Sequence, residues 1–120
     1  MLLFGLQPAH TVLAAPPDPF WEPPSPVIWT REDVLTAMSL HSLRVQCVVA
    51  HEIGGVGYSP YAVSEWGDMG PAQINPHGKL RRFLAAGYTD VFNPFQALDF
   101  LESELPLDPG AWTPVRQGLC

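Results

Sequence analysis

Apolar residues recur at helical intervals in two adjoining stretches of the chain. Thr30 suits an N-cap, acidic residues follow it, and the apolar spacing beyond predicts an amphipathic helix that ends near His41. Ser42 can cap a second helix, which is apolar nearly all round from Leu43 to Ala50 and is therefore expected to be buried and central. Gly54 and Gly55 predict its end.

Asn-Pro pairs mark the start of two later helices, because Asn caps a helix and Pro suits its first position. The helix after Asn75-Pro76 is expected to end near Gly87, and the helix after Asn93-Pro94 is expected to end before Pro106. The remainder, residues 107–120, lacks a helical period and is expected to be irregular.

The segment from Gly54 to Gly70 is too rich in Gly, Ser and Tyr for a helix. Residues 61–63 and 72–74 could form short strands around the turn residues Gly67 and Asp68. The expected fold is therefore mainly α (α+β), with a short β-hairpin.

The chain of 120 residues is expected to contain one small domain, at residues 30–120, behind an N-terminal approach. Residues 1–15 are apolar but lack the positive charge that opens a secretory signal, so they are a signal remnant or an apolar tail, and the remnant is favoured. Six prolines between Pro16 and Pro26 predict an extended linker at residues 16–29.

The net charge of −6 argues against a nucleic-acid partner, because the one basic cluster is Lys79, Arg81 and Arg82. No apolar run reaches the roughly 18 residues of a membrane span, so no stable span is expected. We expect a monomer.

The two cysteines, Cys47 and Cys120, have two readings. They are unrelated thiols, or they form a disulfide that ties the last residue to the second helix. A disulfide would require an oxidising compartment.

Glu52 is the strongest candidate for chemistry, because it ends an apolar helix and precedes two glycines. Burial and the helix C-terminus would both raise its pKa, as a general acid requires. Alternatively, Glu52 caps the following loop or pairs with Arg44. His51 lacks the second histidine of a zinc helix, since position 55 is Gly55, so no metal or other cofactor is expected.

Two further acids, Glu65 and Asp68, lie in the loop after Glu52, and glycoside cleavage commonly uses two carboxylates. Asp68 could position a water molecule or could stabilise a tight turn. Aromatic residues in the same half of the chain could stack on sugars or pack in the core: Tyr58, Tyr61, Trp66 and Trp112.

Several motifs occur in an order that resembles one family. Residues 47–52 (CVVAHE) look like the end of a helix that carries a catalytic Glu, residues 59–63 (SPYAV) look like the loop that follows it, and residues 70–74 (GPAQI) look like the next strand. With Asn93-Pro94, these motifs resemble the lysozyme-like superfamily of lytic transglycosylases, which includes transglycosylase SLT domains, goose-type lysozymes and resuscitation-promoting factors. The resemblance covers residues 43–120.

The resemblance implies a small lysozyme-like fold, secreted or held in the cell envelope, whose hairpin flanks a glycan cleft. It implies that Glu52 cleaves the β-1,4 bond between N-acetylmuramic acid and N-acetylglucosamine in a peptidoglycan strand. Small secreted members pair cysteines as Cys47 and Cys120 would be paired here. Substrate contacts are expected from four residues between the loop and the helix that follows it: Gln73, Tyr61, Asn75 and Trp66.

Two outcomes of that chemistry remain open. In a lytic transglycosylase, which is the favoured interpretation, Glu52 serves as acid and then as base. In a hydrolytic muramidase, Asp68 positions a water molecule, as the WGD-x-G run of goose-type lysozymes suggests. The chain departs from the family at Ile53, usually Ser, and at Phe100, usually Tyr. A non-catalytic peptidoglycan-binding module, or a secreted structural domain with an uninvolved Glu52, is the alternative from another class.

Overall fold

A computed structural model describes residues 27–120, and this part of the chain is mainly helical. It contains five α-helices, joined by loops and by two short 3-10 helices at Gly54–Val56 and Pro109–Ala111. The α-helices are α1 (Arg31–Ser39), α2 (Leu43–Ile53), α3 (Lys79–Ala85), α4 (Pro94–Glu104) and α5 (Thr113–Arg116). The small helical fold that the sequence predicts is thus present.

The first two helices begin where their caps predict. The Thr30 side chain accepts a hydrogen bond from the Asp33 N–H, and the Asp33 carboxylate accepts one from the Thr30 N–H, which completes a capping box. The Ser42 hydroxyl accepts from the Val45 N–H at the start of α2. Glu102 of α4 accepts from both the N–H and the hydroxyl of Ser42, so the two helices are joined at this cap.

Helix α2 is the centre of the fold, since it contacts α1, α4 and α5. Its buried face consists of Val45, Val48, Val49 and Ile53, whereas Leu43 at its first turn is exposed. Helix α2 ends before Gly54 and Gly55, as predicted, but the chain does not turn away until Gly57. Residues 54–56 continue as a 3-10 turn, and the left-handed Gly57 then redirects the chain.

The predicted β-hairpin is not formed within the described residues, where strand pairing is limited to isolated bridges from Met69 to Val63 and to Ile74. The backbone amides of Met69 and Ile74 each donate to the other's carbonyl, at 3.1 and 2.8 Å. Gly70 and Gln73 between them have positive φ of 75° and 48°. The chain therefore reverses in a tight loop at residues 69–74, which leaves no room for an extended strand at 72–74.

The two Asn-Pro pairs have different outcomes. Asn93 caps α4 as predicted, because its side-chain oxygen accepts from the N–H groups of Phe95 and Gln96. The Asn75 oxygen instead accepts from the N–H of His77 and closes a turn. Helix α3 therefore begins at Lys79 and not at the predicted Pro76. Helix α4 ends before Pro106 as expected, and α3 ends at Ala85, just before Gly87.

The C-terminal segment is more ordered than its sequence suggests. Residues 109–111 form a 3-10 turn and residues 113–116 form α5. Between them Trp112 is fully buried, and its indole N–H donates to the Ala72 carbonyl at 2.9 Å. Cys120 forms a disulfide with Cys47, which confirms that the chain end is tied to α2.

Residues 1–15 and most of the linker predicted at residues 16–29 lie outside the described residues. The end of that stretch is fixed to the domain at Trp29. Its backbone N–H donates to the Tyr61 hydroxyl at 2.8 Å, and its indole N–H donates to the Asp90 carboxylate. Within residues 27–120, none of the helices has the length and apolar character required to cross a membrane.

Candidate functional site

Glu52 lies in the last turn of α2 and faces an open cleft of about 410 Å³. This volume is within the range of about 300–1,000 Å³ that is usual for ligand sites. The rest of the lining comes from the loop after residue 67, the start of α3 and the C-terminal segment. We call this the Glu52 cleft, and its lining residues are Glu52, Asp68, Asn75, His77, Gly78, Lys79, Arg82, Asp108, Ala111, Thr113 and Arg116.

The surroundings of Glu52 favour its protonated form. Burial is the main cause that raises the pKa of Glu52 above its ordinary value, and the negative charge of Asp68 acts in the same direction. The positive charges of Lys79, Arg116 and His51 oppose this rise. Within residues 27–120, Glu52 forms no ion pair shorter than 4.0 Å, and Arg44 is paired with it neither in this way nor through a hydrogen bond. Glu52 is therefore a carboxyl whose protonated form is favoured by burial, in a cleft open to solvent.

Asp68 and Asn75, both predicted site residues, line the same cleft as Glu52. The Asn75 amide donates to the Asp68 carboxylate at 2.9 Å, which fixes the orientation of the acid. The turn around Asp68 is stabilised by Ser64 instead, whose hydroxyl accepts from the Asp68 N–H at 3.1 Å. The Asp68 carboxylate is consequently not used to hold its own turn and remains available to the cleft.

Lys79 is a half-buried cation on the wall of the Glu52 cleft. Its ammonium donates to the carbonyls of Gln73 and Ala111 at 3.0 and 3.4 Å, and it lies 4.4 Å from the ring centroid of Trp112. Burial lowers the pKa of Lys79, and the carboxylates of Glu52 and Asp68 oppose this change. The cleft thus contains a fixed positive charge near two acids.

The other predicted substrate contacts lie outside the lining of the cleft. The Gln73 side chain is buried, and its amide donates to the carbonyls of Gly70 and Ala62, so it stabilises the tight loop. The Tyr61 hydroxyl accepts from Trp29, and its ring packs on Phe92. Trp66 is 77% exposed and does not line the cleft.

The two positions that depart from the family pattern are both in the core. Ile53 is fully buried. Phe100 is 1% exposed and packs against the rings of Phe83, Tyr88 and Trp112. Neither residue lines the Glu52 cleft, so their apolar side chains contribute packing and leave the polar lining of the cleft intact.

Cys47, His51 and Cys120 lie together, with their potential metal-ligand atoms within 4.8 Å of one another. The two sulfur atoms are bonded to each other in the disulfide, however, and therefore have no thiolate to offer a metal ion. His51 is exposed beside the disulfide.

Sequence reasoning missed the cationic wall of the cleft. Lys79 and Arg82 were recognised as a basic cluster, but not as neighbours of Glu52. Arg116 is brought in by α5, in a segment without a detectable period. The one available signal was that a lysine can stack on the indole of a tryptophan, and the chain has both Lys79 and Trp112. Their contact depends on the folded chain, so the sequence alone did not predict it.

No family model matches this chain, and neither a curated protein nor a solved structure is significantly similar to it.

Proposed function

We propose that this protein cleaves the β-1,4 glycosidic bond between N-acetylmuramic acid and N-acetylglucosamine in peptidoglycan, with Glu52 as the general acid. The observation that carries the proposal is the half-buried Glu52 carboxyl, whose pKa is raised by burial in a cleft open to solvent. A carboxylic acid that stays protonated near neutral pH is the group that this cleavage needs. The choice of peptidoglycan as the substrate rests on the resemblance of residues 47–52, 59–63 and 70–74 to lytic transglycosylases.

In the favoured reaction, Glu52 gives its proton to the glycosidic oxygen as the bond from that oxygen to C1 of the muramic acid breaks. The C6 hydroxyl oxygen of the same sugar then bonds to C1, and its proton passes to the Glu52 carboxylate. The products are an anhydro sugar and a new chain end with a free hydroxyl. Glu52 returns to its protonated form, so the reaction consumes no water and needs one carboxyl group.

A hydrolytic muramidase is the second candidate, and the Asp68–Asn75 pair favours it. Asp68 lines the same cleft as Glu52, and the Asn75 amide holds its carboxylate in place. A carboxyl group so held could position and activate a water molecule for attack on C1, as the second acid of inverting glycosidases does. The transglycosylase remains our first choice because it requires Glu52 alone.

We propose that the protein acts in the cell envelope or outside the cell. The Cys47–Cys120 disulfide is the supporting observation, because such bonds persist mainly in oxidising compartments. Peptidoglycan lies in the same compartment, so the location and the substrate agree.

The test measures both binding and turnover with the full oxidised chain. Purified peptidoglycan is incubated with the wild type, with Glu52→Gln and with Glu32→Gln, a control on the exposed first turn of α1. We expect Glu52→Gln to release soluble fragments at least about a hundredfold more slowly, because a general acid typically contributes about 10²–10⁴ in rate. Co-sedimentation with peptidoglycan should be unchanged in both variants.

Three results would contradict the proposal in different ways. Equal release by the wild type and Glu52→Gln would remove Glu52 from the chemistry. Binding without release by the wild type would identify a non-catalytic module. If a folded wild-type chain neither binds peptidoglycan nor releases fragments from it, peptidoglycan is excluded as the substrate.

A further inference from the structure

Lys79 is held in one place by contacts from three parts of the chain. The ammonium donates to the Gln73 carbonyl in the tight loop and to the Ala111 carbonyl in the C-terminal segment. It also lies over the buried Trp112 ring, with its nitrogen 4.4 Å from the ring centroid. A cation fixed in this way loses little freedom when a charge appears beside it, which is the property of a preorganised electrostatic group.

The charge of Lys79 is not consumed by a direct ion pair among the described residues. Arg82, the next cation of the cleft, is paired with Glu104 at 2.6 Å and with Asp108 at 3.6 Å. Among residues 27–120, Lys79 has no carboxylate within 4.0 Å, and its two hydrogen bonds go to neutral carbonyls. Its largest electrostatic interaction with an acid is therefore the through-space one with Glu52, which lines the same cleft.

Four charged groups act on Glu52 from the elements packed around it. Lys79 of α3 has the largest favourable effect on the carboxylate, Asp68 of the loop opposes ionisation, and Arg116 of α5 and His51 of α2 contribute less. Arg116 is exposed, and its guanidinium donates hydrogen bonds to the Gly110 carbonyl and the Thr113 hydroxyl. Lys79 is thus the cation best placed to influence Glu52.

We infer that Lys79 is a positioning residue for Glu52. The fixed ammonium of Lys79 stabilises the Glu52 carboxylate that remains each time Glu52 gives up its proton. This inference deepens the proposed function and rests on it for the catalytic consequence. The physical coupling between the two side chains does not depend on any substrate. Burial raises the pKa of Glu52 and so favours the protonated form that can donate a proton. Lys79 opposes this rise, which lowers the free-energy cost of the carboxylate left after proton donation.

A purely structural role would not require the charge. The stem of Lys79 packs over Trp112, and a methionine of similar length could make the same contact without the cost of burying an ammonium. Buried lysines are uncommon unless they are paired. The charge and the stem can therefore be separated by substitution, with Lys79→Met removing the charge and Lys79→Arg keeping it.

The first experiment titrates Glu52 without substrate. The full oxidised chain is labelled with ¹³C at the glutamate carboxyl, and the Glu52 resonance is assigned by its absence in Glu52→Gln. Lys79→Met should raise the pKa of Glu52, because a neighbouring positive charge has been removed. Lys79→Arg should leave it closer to the wild-type value. No change in Lys79→Met, or equal changes in both variants, would overturn the inference.

A reciprocal titration keeps the test valid if Lys79→Met does not fold. Electrostatic coupling is mutual, so removal of the Glu52 charge must lower the pKa of Lys79 by the amount that Lys79 lowers that of Glu52. The ¹⁵Nζ resonance of Lys79 is therefore titrated in the wild type and in Glu52→Gln, which leaves Lys79 and its carbonyl contacts unchanged. An unchanged pKa of Lys79 would contradict the coupling.

The activity measurement separates this inference from the proposed function. If Glu52 is the acid, fragment release declines as the pH rises through its pKa, and in Lys79→Met this decline should move to higher pH. Coupled titrations without any peptidoglycan cleavage would support the Lys79–Glu52 pair and contradict the proposed function. Cleavage with a pH profile identical in the wild type, Lys79→Met and Lys79→Arg would contradict the role of Lys79 alone.

Discussion

At the residue scale, the surroundings of Glu52 trade stability for reactivity. Its carboxyl is half-buried and has no ion pair among residues 27–120, and burial raises its pKa. A carboxyl with a raised folded-state pKa stabilises the fold when protonated, and this stabilisation is lost as the pH rises through the folded pKa. Glu52 therefore destabilises the native state at pH values where it ionises, as functional groups often do.

Glu52→Gln should consequently be more stable than the wild type at pH 7, because the neutral amide resembles the protonated acid and avoids the cost of burying a charge. At a pH below the ordinary carboxyl value of 4.5, both folded and unfolded Glu52 are protonated and the advantage should vanish. Thermal unfolding at pH 7 and at pH about 3.5 measures the difference. An advantage of equal size at both pH values, or a less stable variant at pH 7, would show that ionisation of Glu52 is not costly.

The candidate residues differ in how far the sequence could identify them. Glu52 was predicted because its signal is local, with an apolar helix before it and two glycines after it. Asp68 and Asn75 were predicted as separate residues, whereas their hydrogen bond depends on the loop geometry. Lys79 was not predicted, because its role comes from Trp112 and Glu52, which are 33 and 27 positions away in sequence (112 − 79 and 79 − 52).

At the element scale, the caps of α1, α2 and α4 were predictable from sequence, whereas the start of α3 and the strand pairing were not. Thr30, Ser42 and Asn93 each accept hydrogen bonds from N–H groups two or three residues ahead, a pattern that the local sequence contains. The expected hairpin depended on how residues 69–74 turn. Gln73 adopts a positive φ, which its residue type does not reveal, and its side chain closes a tight loop instead of a strand.

Gly70 is the residue on which this loop depends. Its φ is +75°, and a Cβ at this position would lie 2.2 Å from the Val91 carbonyl oxygen, which belongs to the backbone before α4. Gly70→Ala should therefore destabilise the protein by about 2–4 kcal/mol, since backbone strain adds to overpacking. Chemical denaturation measures this loss.

Gly57→Ala is the matched control for that prediction. Gly57 has nearly the same φ, +73°, but a Cβ there would meet nothing within 4 Å among the described residues. The control should cost only about 1 kcal/mol, which is the effect of the left-handed backbone alone. Equal losses in the two variants would mean that the contact with Val91 does not constrain the loop.

At the scale of the whole molecule, one covalent bond joins the C-terminus to the helix that carries Glu52. The disulfide links positions 73 residues apart, and the segment that it fixes contributes Trp112 to the core and Arg116 to the cleft. The position of Arg116 and its charge at the Glu52 cleft thus depend on how the C-terminal segment is held against α2. The two cysteines alone left the pairing open, because their spacing does not specify whether they meet.

The double variant Cys47→Ser/Cys120→Ser should lose about 4 kcal/mol of stability, the amount that chain entropy predicts for a loop of 73 residues. Denaturant unfolding of the oxidised wild type, the reduced wild type and the double variant measures the loss. The reduced wild type should match the double variant. Three equal midpoints would show that the C-terminal segment is held by packing alone.

The measurement that tests the central claim most directly is the mass spectrum of fragments released from purified peptidoglycan in H₂¹⁸O by the full oxidised chain. We predict anhydro-muropeptides without ¹⁸O from the wild type, and none from Glu52→Gln. Reducing-end fragments that carry ¹⁸O would instead identify a hydrolase and direct attention to Asp68. The absence of fragments from a folded wild-type chain, or the same fragments from Glu52→Gln, would contradict the assignment of Glu52 as the acid that cleaves this glycan.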